Sequence, residues 1–283
     1  MLSVALAALS GLIWGVGDFS GGKATQRAAV LPVVWVSKLV SLPLLAIYLV
    51  ATYVPVTPIG LAWGGLAGIA GVVGLVLFYR ALSAGAMTVV APVTGVTSAA
   101  LPVVVGLVAG ERPSPSRLLG VGCALVAIAL VSLAPHPAGR RQVVSRRLVA
   151  AALGAGTSFA LFFILLAVAG KAAGSSVGLW PIAGSQLSSV VILALLLMMT
   201  RPGPWPHQAT LGWTIVAGPC DMTANVLYLL ATRGGDLSIV APIAALYPVT
   251  TVILALIIEH ERLRGIQVAG LVLALAALVL VSR

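Results

Sequence analysis

The chain has 283 residues, 60% of them hydrophobic and 8% charged, with a mean hydropathy of +1.16 and a formal net charge of +10. Soluble domains carry about 45–50% apolar and about 25% charged residues, so the composition excludes a water-soluble globular protein. The positive excess does not imply nucleic acid, because the 16 Lys and Arg fall mostly between apolar runs, as in "GRRQVVSRR" at 139–147.

Apolar runs of about 18 or more residues, cut by short polar breaks, read as membrane-spanning helices. Ten follow in order: 2–20, 30–51, 61–80, 86–108, 117–134, 147–169, 178–199, 210–231, 238–258 and 266–282. Barrel strands would alternate polar and apolar residues, and these runs do not; a helix also satisfies its own backbone in hydrocarbon. The first run has no basic residue before it and nine more spans follow, which argues against a cleavable signal. Ten helices of this length leave no room for a soluble domain. Cys123 and Cys220 lie inside spans and read as packing residues, without a disulfide or metal role.

The second half of the chain restates the first. Shifted by 150, residues 61–132 fall on 211–282 without a gap and with about twenty identities. Trp63 lands on Trp213, Gly68 on Gly218, Gly85 on Gly235, Ala91-Pro92 on Ala241-Pro242 and Glu111-Arg112 on Glu261-Arg262. Gly120 lands on Gly270, and a weaker echo sets "KLVSLPLL" (38–45) against "QLSSVVIL" (186–193). The expected fold is therefore an all-α polytopic membrane protein whose ten transmembrane helices form a 5+5 repeat, with halves at 1–138 and 139–283. Five is odd, so the second copy threads upside down. Inverted repeats place a site near the midplane where the halves meet, and rocking one half against the other opens it to alternate sides. That architecture points to a carrier.

The segment "LIWGVGDFSGGKA" (12–24) resembles the first helix of the drug/metabolite transporter superfamily, in its EamA-like branch. So does the end of each half: small residues, a proline (Pro102, Pro248), Glu-Arg, then a glycine (Gly120, Gly270). The resemblance covers nearly the whole chain. It implies a secondary transporter, with a central cavity lined by helices 1, 3, 4, 6, 8 and 9 and a basic residue near position 38. Amino acids, other metabolites and drugs are all moved within that branch, so fold does not choose the solute. A cavity with few charges suits a neutral, zwitterionic or amphipathic one.

Charged residues inside spans are costly, about 2.5–3.5 kcal/mol each at mid-helix on insertion scales. Asp221 lies near the centre of span 8, with Asn225 and Tyr228 on the same helix face. That face is expected to line the cavity, with Asp221 binding a proton or cation; the alternative is a structural carboxylate. Asp18 and Lys38, at comparable depths in spans 1 and 2, form a second candidate, either an ion pair or part of the site. Trp14, one turn before Asp18, and Tyr247 in span 9 join the candidate substrate-binding residues. Pro92 and Pro242 occupy matched points of spans 4 and 9 and are candidate hinges, or plain bends that help packing. Glu111-Arg112 and Glu261-Arg262 sit at helix ends, where solvated charges are ordinary; a gate or tether is the alternative. The glycines of "WGGLAGIAGVVG" (63–74), with Gly11 and Gly15, suit close helix packing. Gly15-Val16-Gly17 follows no strand and lacks the spacing of a dinucleotide loop.

No enzyme is expected. The three histidines (His136, His207, His260) fall in loops, and no HExxH, GxSxG or P-loop occurs. No cofactor or metal is implied. The expected partners are a small-molecule substrate and the lipid bilayer of the cell membrane, with a proton as the candidate coupling ion. A non-transporting accessory or lipid-binding subunit is the competing class. Positive-inside weighting puts the 5–6 linker in the cytoplasm and both termini outside, whereas the resemblance implies both termini inside.

Overall fold

A computed structural model describes residues 1–83, 87–133, 145–172, 178–200, 203–260 and 264–283, with side chains throughout except at 82–88. Gly85, His136, Glu261, Arg262 and the boundary between the expected halves lie outside the described residues. The described elements are all helical: α1 (Leu2–Thr25), α2 (Val30–Val40), α3 (Leu42–Thr52), α4 (Pro58–Ser83), α5 (Met87–Val108), α6 (Pro115–Val131), α7 (Arg146–Ala172), α8 (Trp180–Met199), α9 (Gln208–Gly234), α10 (Leu237–Ala244), α11 (Tyr247–Ile258) and α12 (Gly265–Val281). Among the described residues eight stretches are long and apolar enough to cross a membrane; α2–α3 and α10–α11 each count as one stretch. The helices α6 and α12 are apolar but shorter.

Proline placement explains several helix boundaries. Pro43, Pro58, Pro115, Pro181 and Pro248 all sit in the first turn of a helix, where the missing N–H costs nothing and the fixed φ favours helix. Two of them split spans that the sequence reads as continuous. Pro43 follows the break at Ser41 between α2 and α3, and Pro248 follows the break at 245–246 between α10 and α11. The candidate hinge prolines behave otherwise: Pro92 stays inside α5 and Pro242 inside α10. Each lies about one turn past its helix start, so it forfeits a single early hydrogen bond. The discontinuity in span 9 belongs to Pro248.

Small residues let the helices touch. Gly64 and Gly68 of α4 lie against the Pro181 and Ser185 carbonyls of α8, and a methyl group at either position would collide with them. Gly218, 150 residues after Gly68, meets the carbonyl of Ser37 in α2 in the same way. Gly120, near the start of α6, packs on Leu280 and Val281 at the end of α12. Gly270, near the start of α12, packs on Leu130 and Val131 at the end of α6. The contact is reciprocal and the two helices run antiparallel.

Candidate functional site

Three charged residues meet where α1, α2 and α9 converge. The helices α1 and α9 pack side by side, with Gly17 against Ala217, Cys220 and Asp221, and Ser10 Oγ donating to the Ala224 carbonyl at 2.8 Å. The order of these contacts along the two helices makes them antiparallel and sets Asp18 near the level of Asp221. Lys38, in the last turn of α2, donates from Nζ to Asp221 Oδ2 at 2.5 Å. The ion pair therefore joins Lys38 to Asp221 rather than to Asp18, because α9 rather than α1 presents its carboxylate to α2. Asp18 makes no hydrogen bond or ion pair among the described residues, and its carboxylate lies close enough to Asp221 for the two charges to repel.

Asp18 is exposed, between the buried Gly17 and Phe19 on α1. Asp221 is partly accessible as well, with 36% of its side chain exposed against 18% for Lys38. The phenol groups of Tyr79 (α4) and Tyr247 (α11) lie within range of the Asp18 charge, and neither is hydrogen-bonded to it.

The break after α2 is itself part of the site. Pro43 has no N–H to continue the helix, and side chains take over: Gln186 Nε2 donates to the Lys38 carbonyl and to Ser41 Oγ, both at 2.7 Å. Ser41 Oγ donates to the same carbonyl at 2.8 Å. Gln186 stands where the weaker repeat aligns it, opposite Lys38.

Deeper in the bundle the remaining candidates are buried. Asn225 donates from Nδ2 to the Asp221 carbonyl at 2.6 Å, and its Oδ1 has no partner. Tyr228 is fully buried and donates its hydroxyl to the Phe163 carbonyl at 3.0 Å. Its ring packs on Phe163, with centroids 5.0 Å apart, and Trp14 stacks on both at 5.4 and 5.8 Å. The expected polar face of span 8 thus divides: Asp221 is partly exposed, whereas Asn225 and Tyr228 are covered. Tyr228 and Trp14 form an aromatic floor beneath the charged cluster.

Below the floor, Glu111 ties one end of the bundle shut. Gly110, at φ +99°, ends α5 with the Gly110 N–H on Leu107 and the Glu111 N–H on Gly106, a glycine-dependent helix stop. This turn delivers the Glu111 carboxylate to the start of α10, where it accepts from the Leu237 N–H at 2.7 Å and the Ser238 N–H at 2.8 Å. Lys171, at the end of α7, lies 3.3 Å away. Burial opposes the charge on Glu111, but the bonds from Ser238 and Leu237 and the nearby Lys171 outweigh it and hold the carboxyl below the usual range. Solvation was the expectation for this residue; it is instead a tether between helices, for which Gly-Glu after an apolar run is the only local signal. At the opposite end Lys23 of α1 pairs with Glu259 after α11.

These features define a polytopic membrane protein with ionised groups held between its helices, the class to which multi-pass carriers belong. The profile of the EamA-like transporter family matches residues 1–133 and 147–283, and the chain belongs to that family, within the drug/metabolite transporter superfamily. A protein of known crystal structure is similar over 99% of this chain and 98% of its own, at 14% identity and a TM-score of 0.77; at that identity the likeness is one of fold. No curated protein matches the chain. It is accordingly an integral multi-pass membrane protein of a family that transports small solutes.

Proposed function

We propose that the protein is a secondary active transporter of the cell membrane that exports small metabolites, amino-acid-like solutes or drugs by alternating access. In this reading α6 and α12 also cross the bilayer, giving ten spans in two inverted halves, 1–138 and 139–283. The reciprocal antiparallel packing of α6 on α12 supports the inversion, as do the separate family matches to the two halves. The observation that carries the proposal is the ion pair of Lys38 in α2 with Asp221 in α9, beside an exposed and unpaired Asp18. Tyr228 and every residue of α10 are buried, and Glu111 is bonded to the start of α10. Charged groups held between the two proposed halves, with one end closed, fit alternating access.

Asp18, Asp221 and Tyr247 line the solute path, with Trp14, Asn225 and Tyr228 beneath it. Asp221 is the proposed proton-coupling group, because a proton taken up there neutralises the carboxylate that holds Lys38 and so frees α2 from α9. The breaks at Ser41 and at 245–246 give the spans somewhere to bend, with Pro92 and Pro242 as lesser bends.

Purified protein in proteoliposomes, screened for flux of small solutes with and without a pH gradient, tests the proposal. A saturable flux that Asp221→Asn uncouples from the pH gradient supports it. Gradient-driven flux unchanged in that variant removes the assigned coupling role, and absence of any flux removes the carrier.

A further inference from the structure

Resting on the carrier reading, we infer that the ion pairs Lys171–Glu111 and Lys23–Glu259 are equivalent latches at opposite mouths of the carrier, and that Lys23–Glu259 is the first to open. The first ground is placement. The helices α10 and α11 form one apolar stretch. Glu111, paired with Lys171, is bonded to the start of that stretch, and Glu259, paired with Lys23, ends it. The two ties therefore stand at opposite ends of one span. Each also joins the proposed halves, with the lysine and the acid exchanging sides.

The second ground is repetition. Gly22-Lys23-Ala24 recurs as Gly170-Lys171-Ala172, at the offset that also sets Lys38 on Gln186. Both lysines lie in the last turn of the first long helix of their half, α1 and α7. The acids flank a matched left-handed turn: Gly110 has φ +99° and His260, 150 residues later, has φ +54°. Glu111 directly follows the first and Glu259 directly precedes the second. Exchanging the halves thus turns one tie into the other. A lone ion pair near a surface is ordinary. The same pair rebuilt by the repeat at the other end marks equivalent points of the two mouths.

The third ground is unequal strength. The Glu111 carboxylate also accepts the Leu237 and Ser238 N–H groups, at 2.7 and 2.8 Å. Glu259 bonds only Lys23 among the described residues. If both lysines leave, the Glu111 mouth keeps two charge-assisted backbone bonds and the Glu259 mouth keeps none. A simple ion pair parts and rehydrates at little cost, whereas a buried backbone N–H that loses its acceptor does not.

The test uses full-length protein in nanodiscs, with Cys123 and Cys220 replaced by Ala. Spin labels on Gln26→Cys/Ile258→Cys and on Ala109→Cys/Ala172→Cys, exposed positions beside the two latches, report the distance across each mouth by pulsed double resonance. In the parent, the longer-distance population is expected to be larger at the Lys23 mouth than at the Glu111 mouth. Glu259→Gln and Lys23→Met should each raise the open-to-closed ratio at the Lys23 mouth about two- to fivefold, leaving the other mouth closed. The charge swap Lys23→Glu/Glu259→Lys should bring it back to within about twofold of the parent. Glu111→Gln should open its own mouth about tenfold, and Lys171→Met less. Size-exclusion profiles establish that each variant is folded; should Glu259→Gln not fold, Lys23→Met and the charge swap decide the matter.

The latches are overturned if neutralising either acid leaves its own mouth unmoved, if it opens both mouths together, or if the charge swap behaves like the single variants. A parent more open at the Glu111 mouth overturns the order of opening. Flux in proteoliposomes separates these outcomes from failure of the carrier proposal. Mouths that open singly without flux of any solute leave the latches standing and remove the carrier, whereas saturable flux with unmoved mouths does the reverse.

Discussion

A carboxylate at the midpoint of a membrane helix survives only with a partner, and Asp221 has Lys38. Because 36% of the Asp221 side chain is exposed, the pair is worth less than a fully buried one. Replacing Lys38 by Met is expected to cost about 1–3 kcal/mol of stability, chiefly by stranding Asp221. The double variant Lys38→Met/Asp221→Asn should recover most of that, read as the thermal unfolding midpoint in detergent. A double variant no more stable than Lys38→Met alone would mean that the pair is not the unit that matters. All three charged residues were legible in the sequence, since polarity inside an apolar run is conspicuous. Their pairing was not, because linear spacing says which residues share a helix face but not which neighbouring helix faces them. Tyr79 and Gln186 were missed for a related reason: neither type is rare enough in a span to stand out without knowing what it meets.

Between elements, the junction of Glu111 with α10 makes a testable gate. Its carboxyl is held below the usual range, so the closed end is stabilised while the group is ionised, and that stabilisation fades as pH falls through the lowered value. Lys171 carries only donors and cannot replace the lost acceptor. Glu111→Gln removes the charge-assisted bonds at any pH, an expected loss of about 1–3 kcal/mol from the closed end. A Ser238→Cys probe, buried in the parent, should gain reactivity relative to a free thiol at the same pH as pH falls below the usual carboxylate range, and react faster at neutral pH when combined with Glu111→Gln. Equal rates in all cases would show that the tether does not hold the end shut. Helix contacts admit an internal control. Gly68→Ala drives a methyl into the Ser185 carbonyl and should cost about 1–3 kcal/mol. Gly65→Ala, three residues earlier on the same helix with nothing near its added carbon, should be neutral or slightly stabilising. The glycine pattern was readable as packing, but which glycine bears the contact required the partner helix. The breaks at Ser41 and 245–246 were not anticipated either: a proline's effect depends on whether neighbours such as Gln186 can satisfy the backbone groups it frees.

At the scale of the molecule, hydropathy made the eight long apolar stretches readable, because lipid penalises anything but long apolar helices, and the 150-residue echo pointed to the duplication proposed above. Side assignment is harder, since charge bias and family habit disagree. Single cysteines at Ser114 and Ser145, labelled with an impermeant reagent in sealed vesicles, are expected to react from opposite faces, with tags on Met1 and Arg283 following Ser114. Labelling of both cysteines from the same face would refute an odd number of crossings per half.

Lys38 stands where the other half carries Gln186, and Asp221 aligns with Gly71. If the halves are inverted copies as proposed, a scaffold that looks alike from either compartment would hold an ionic centre belonging to one orientation only. Solute arriving from the two compartments meets chemically different walls, so half-saturation concentrations for influx and efflux should differ. Thermodynamics then obliges the maximal velocities to differ in proportion, leaving the equilibrium distribution to the gradients alone.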